Sequence, residues 1–124
     1  MSLEDKIVTA IETYVASFEK KELDTIVDLF VEDAWIEDPV GSERKVGREA
    51  LREFYQAAID MNVKGTLESE IRVAGNEAAF AFSIAVDTGN GTLLIRPIDT
   101  MTFNDDGKIT SMRAFFGARN QSME

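Results

Sequence analysis

Across 124 residues, 13 basic and 23 acidic side chains leave a net charge of −10, which opposes binding to phosphate backbones and anionic lipid, so neither nucleic acid nor membrane is an expected partner. The length predicts one domain, residues 1–124, whose 44% hydrophobic content can fill a core without metal or disulfide. Neither Cys nor His occurs, which removes thiolate and Ser-His-Asp nucleophiles and the usual zinc sites, so any proton transfer near neutral pH must use a carboxylate, lysine or tyrosine whose pKa is shifted by its surroundings.

The N-terminal MSLEDKIVTA has acids early and no long apolar run after a basic patch, unlike a signal peptide, so a cytoplasmic location is expected. Ser2 and Asp5 resemble a capping box, and Ile7, Ile11, Tyr14, Val15 and Phe18 recur at helical spacing, predicting a helix over about 3–20. Leu23, Ile26, Val27 and Phe30 repeat the pattern after a connector at 20–22, which predicts a second helix. Gly47 and Arg48 lead into Leu51, Phe54, Tyr55, Ala58 and Ile59, a third amphipathic helix. From Val63 the period becomes two, with strands expected over about 63–74, 77–87, 92–103 and 108–117. The separating turns, Gly75-Asn76, Gly89-Asn90-Gly91 and Asn104-Asp105-Asp106-Gly107, are short enough to imply antiparallel neighbours. Helices first and a meander after predict an α+β fold, with three helices on one face of a curved, mostly antiparallel sheet.

Three polar residues stand out against this pattern. In the strand over 92–103 the odd positions are mostly apolar and predict the inner face, yet Asp99 is among them. A carboxylate there either pairs with an arginine or a backbone group, or keeps its proton and becomes a hydrogen-bond donor. Tyr14 falls on the core face of the first helix and Tyr55 on that of the third, where each could be simple packing or one half of a buried hydroxyl pair. Asp38 ends the stretch AWIED on the face of Ala34 and Ile36, and Pro39 restrains its backbone to extended geometry. Asp-Pro also starts ordinary turns, and this motif alone favours the turn. Glu37 points to the other face and is expected to be solvated.

Together these positions carry a resemblance. EDPVG after two helices, PID about sixty residues later, and the segments REFY, NEAAFAF and SMRAFFG resemble the bacterial ketosteroid isomerase family, part of the nuclear transport factor 2-like superfamily, over essentially the whole chain. The resemblance implies a cone-shaped sheet with an apolar pocket. It implies a cofactor- and metal-independent isomerase acting on a 3-oxo-Δ5-steroid, with Asp38 as general base, Tyr14 and a neutral Asp99 as donors to the substrate oxygen, and Tyr55 as support for Tyr14. Phe54, Phe82, Ile84, Val86, Met112 and Phe116 are the candidate walls for an apolar substrate, although each could equally be core. Some relatives carry Tyr at the position of Phe30, Trp at Phe116 and an aromatic residue at Val86, which bears on substrate preference. The family also implies a homodimer packed through the sheet, which Thr92, Leu94, Arg96 and Ile98 would suit. Two other readings remain from the sequence: another enzyme of the superfamily, such as a cyclase or epoxide hydrolase, and a non-catalytic carrier of an apolar ligand.

Overall fold

The computed structural model describes residues 1–124. Helix α1, Leu3–Lys20, begins with the expected capping box, in which the Asp5 amide donates to Ser2 Oγ at 3.1 Å and the Ser2 amide to Asp5 Oδ2 at 3.4 Å. It ends where Lys21 turns left-handed at φ 57°. Helix α2 spans only Leu23–Asp28, because Phe30 opens strand β1, Phe30–Glu37, instead of closing the helix as its spacing predicted. The tiny strand β2, Lys45–Val46, leads into α3, Arg48–Asp60, whose Leu51, Tyr55 and Ile59 are buried at successive turns.

Strands β3, Val63–Leu67, and β4, Arg72–Ala74, divide the single strand expected over 63–74. Strand β5, Glu77–Asp87, matches its prediction, whereas the expected strand over 92–103 breaks into β6, Thr92–Ile95, and β7, Ile98–Phe103. Pro97 causes that break, since it has no amide to donate to a ladder, and the Arg96 amide turns to Asn120 O at 2.9 Å. Strand β8 is Ile109–Phe115, and a last strand not foreseen from the sequence, β9, Gln121–Met123, pairs with β6.

The sheet runs β2-β1-β8-β7-β5-β6-β9, with β3 and β4 on the other edge of β5. All pairings are antiparallel except β1 with β8, which the short-turn rule could not reveal because α3 and six strands separate them in the chain. Curvature comes from β5. Its first half pairs with β7 and β4, its second half with β6 and β3, so both partners change near Ala81 and Phe82 and the sheet folds over there. The helices cover the concave side, and Phe80, Phe82, Met101, Phe103 and Ile109 pack beneath them. The convex face carries Val46, Ile98 and Phe115, which are 62%, 51% and 43% exposed. No helix is long and apolar enough to cross a membrane.

Helix α1 lies so close to β3 that a Cβ on Gly65 would sit 2.8 Å from the carbonyl oxygen of Val15. Backbone cannot swing aside as a side-chain tip can. Gly65→Ala is therefore expected to lower stability by about 1–3 kcal/mol, read as a lower urea midpoint at unchanged slope; an unchanged midpoint would show that the helix can retreat freely.

Candidate active site

The folded-over half of the sheet and helices α1 and α3 enclose a cavity of about 180 Å³. Phe18 comes from α1, Phe54 and Ala58 from α3, Met61 and Val63 from the chain after α3, Phe82, Ile84 and Val86 from β5, Ile95 and Pro97 from the β6–β7 break, and Phe116 from the end of β8. Set into this apolar lining are four polar side chains, Tyr14, Asp38, Tyr55 and Asp99. Five of the six apolar residues expected on the wall are there. Met112 is not: it is fully buried in the core and lies outside the lining, because on β8 it faces Met101 of β7 beneath the helices.

Asp99 is 1% exposed, and its strand register places it between Phe80 of β5 and Ala114 of β8. Its Oδ1 has no hydrogen-bond partner, and no arginine or backbone group is paired with it to compensate a charge. Burial, and secondarily the charge of Asp38, hold its pKa well above the usual carboxylate value, which favours the neutral acid. Tyr14 and Tyr55 are also buried, and their hydroxyls lie 2.9 Å apart across α1 and α3. Burial raises both phenols, so both stay protonated. Phe18, Phe30 and Phe54 pack against the Tyr55 ring and fix its position.

Asp38 has a different environment. It follows the last residue of β1, half-buried at the cavity edge, and its pKa is raised to about 6, burial pushing it up and the ammonium of Lys45 pulling it back. At neutral pH it is mostly ionised and close to the range where a carboxylate both takes and releases a proton readily. Lys45 itself lies with its Nζ 5.3 Å from the centre of the Phe54 ring, and Arg44 stacks on Trp35 at 3.7 Å, which holds the segment between Asp38 and α3 against the sheet. The cavity thus contains an ionised carboxylate at its edge and neutral O–H donors deeper in, a set able to move a proton while hydrogen bonds stabilise an oxyanion.

Glu37 corrects the sequence expectation. Its side chain is only 13% exposed and accepts from Arg113 Nε at 2.8 Å, so it is paired and not solvated. Phe18, Ala58, Met61, Val63, Ile95 and Pro97 were not picked out as lining. Two of them carried a signal, since Phe18 lies one helical turn beyond Tyr14 and Ala58 one turn beyond Phe54.

Residues 11–112 match the SnoaL-like domain family. The chain belongs to that family. A Steroid Delta-isomerase of Nocardioides simplex is 46% identical over 91 residues, 73% of each chain. This likeness places the SnoaL-like protein with the ketosteroid isomerases, as an isomerase. Among solved structures, the epoxide hydrolase/cyclase-like enzyme SalBIII, active in pyran ring formation in the polyether salinomycin, superposes with a TM-score of 0.91 at 28% identity over 98% of each chain. A computationally designed 17-OHP binder reaches 0.85 at 20% identity, and a Mycobacterium tuberculosis protein 0.86 at 22%, each over 96% of both chains, likenesses that concern the fold.

The neutrality of Asp99 has a consequence for stability. In the unfolded chain it ionises above about pH 4, whereas in the fold its raised pKa holds the proton to higher pH, so the folded state binds more protons and its stability falls as pH rises past that point. Asp99→Asn removes this liability. It should become more stable relative to wild type by up to about 1.4 kcal/mol per pH unit above pH 4, until Asp99 ionises within the fold; parallel pH profiles for the two proteins would mean that Asp99 is ionised when folded.

Proposed function

We propose that the protein moves the double bond of a 3-oxo-Δ5-steroid into conjugation, giving the Δ4 isomer by proton transfer within the substrate. The observation that carries the reading is the sharing of one apolar cavity by an ionised Asp38, a neutral Asp99 and the Tyr14–Tyr55 hydroxyl pair. The Asp38 carboxylate takes a proton from carbon 4, and the electrons of that C–H bond form the C3–C4 double bond while the carbonyl oxygen becomes a dienolate. Tyr14 and Asp99 donate hydrogen bonds to that oxygen. The two hydroxyls are 2.9 Å apart, and with Tyr55 as the donor in the reaction the Tyr14 proton is free for the substrate. Asp38 then returns the proton to carbon 6, the C5–C6 electrons form the new bond, the C4–C5 double bond is made and the carbonyl reforms. Each preorganised donor in such a dry site supplies roughly 3–4 kcal/mol, and a positioned base about 10² to 10⁴ in rate. The chemistry calls on no group beyond these side chains, and the steroid relative from Nocardioides simplex supports the choice of substrate class.

The test is the growth of conjugated-enone absorbance when the protein meets a 3-oxo-Δ5-steroid. kcat/KM should rise through pH 6 as Asp38 loses its proton, because its pKa lies at about 6, and then level off. Asp38→Asn should lose at least about 10² in kcat and still bind a phenolic steroid that imitates the dienolate. Steroid bound without any enone above background would instead favour a carrier.

We further propose a homodimer formed through the convex sheet face, where Ile98 and Phe115 stand exposed beside the partly covered Thr92 and Leu94 and the exposed Arg96. Sedimentation should give a dimer at micromolar concentration and a monomer for Ile98→Lys; a monomeric wild type would overturn this assembly.

A further inference from the structure

Glu37 and Asp38 are adjacent, and the alternation of β1 sends them to opposite faces, Asp38 into the cavity and Glu37 onto the convex face above β8. On that face Glu37 is opposite Arg113 in the parallel β1–β8 register and accepts its Nε–H at 2.8 Å. The Arg113 guanidinium is held in turn against the Phe115 ring, 5.2 Å from its centre. After the Arg113 hydrogen bond, the backbone of Gly41, the residue that closes the turn leaving Asp38, also helps to hold the Glu37 pKa below its ordinary value. The same turn is fastened at two points, by the Val40 amide to Ala114 O at 2.8 Å and the Ser42 amide to Pro39 O at 3.0 Å. Glu37 therefore ties the strand end that carries Asp38 to β8 through Arg113, and the Val40 amide ties the turn itself to the same strand.

A base that takes a proton from one carbon and delivers it to another must swing its carboxylate while its backbone stays still. Free backbone would add positions from which neither carbon is reached, and a misplacement of about 1 Å can lower a rate by about 10². We propose that Glu37 is the positioning residue of the base: its hydrogen bond to Arg113, together with that of the Val40 amide to Ala114, clamps the end of β1 and the turn to β8 so that only the Asp38 side chain moves between the two carbons. This role rests on the isomerase reading, and it leaves Tyr14 and Asp99, on α1 and β7, untouched. It therefore predicts a loss confined to the rate.

The experiment uses the full-length protein carrying Glu37→Gln, which keeps an acceptor but removes the charge that holds the Arg113 guanidinium, and Arg113→Met, which removes the hydrogen bond itself. Both should lower kcat on a 3-oxo-Δ5-steroid by about ten- to a hundred-fold, with KM and the affinity for a phenolic steroid changed less than about two-fold. In an Asp38→Asn background Glu37→Gln should cause no further loss of residual turnover, because there is no base left to position. Wild type active and Glu37→Gln equally active would overturn the clamp while leaving the isomerase reading intact. A fall in kcat matched by equal losses in phenolic affinity and melting temperature would also overturn it, as general damage to the fold. A wild type inactive on the steroid would overturn the isomerase reading and the clamp with it.

Discussion

Exclusion of water from one end of the cone is the constraint on which the site depends. No side chain in the sequence titrates near neutrality by its nature, so the chemistry must come from carboxyls and phenols altered by their surroundings. The protein applies one force, desolvation, to two Asp residues in different amounts. Between Phe80 and Ala114, Asp99 is pushed well toward its neutral form, whereas Asp38 at the edge is raised only to about 6 and feels Lys45. The two states reinforce each other, because the negative charge of Asp38 is among the reasons Asp99 stays neutral. A deeper carboxyl inclined to donate and an edge carboxylate inclined to accept follow chiefly from burial depth, with Lys45 and the charge of Asp38 acting in the same sense.

Burial depth is in turn set by the path of β5. Were its partners the same along its length, the sheet would be a gently twisted plane and Asp99 would face the helices directly. The change of partner on both edges near Ala81 and Phe82 makes the second half of the sheet fold over the first. That fold leaves a gap between β5, α1 and α3, and the residues across it are Phe82, Ile84, Val86, Phe18 and Phe54, none with a polar side chain to admit water. Pro97 is part of the same device: it ends one ladder and begins the next, and it stands two residues before Asp99 on the cavity wall.

Periodicity made the helices α1 and α3, the strand β5 and the inward parity of Asp99 legible in the sequence, since each is long enough for its apolar spacing to repeat. Short or irregular elements were not legible. Phe30 fits a helical repeat with Ile26 and Val27 as well as it fits a strand, and β1 is itself irregular, with Glu32 and Asp33 both exposed where its register against β8 shifts. The β1–β8 pairing joins residues far apart in the chain, so neither the parallel ladder nor the Glu37–Arg113 contact across it could be read locally. Met112 was misplaced for a related reason. It has the inward parity and apolar character of a wall residue, and only the position of β8, away from the folded-over half of the sheet, shows that it meets Met101 and not the cavity.

The stretch IEDPVGSE shows how one residue of strand alternation separates two fates of the same functional group. Glu37 lies against a guanidinium, which holds its pKa below the ordinary value and keeps it a permanent anion and a fixed acceptor. Asp38, one residue on, has no hydrogen-bonded partner and sits in a less polar place, so its proton affinity is free to be used. A carboxylate that is tightly paired makes a poor base, because the pairing that orients it also stabilises its charge. Placing orientation in one residue and basicity in its neighbour avoids that conflict: the backbone inherits the rigidity of the Glu37–Arg113 pair, while the Asp38 carboxylate keeps its reactivity. An Asp38 paired directly with an arginine would be better held and less basic, and in the proposed reaction both properties are needed at once.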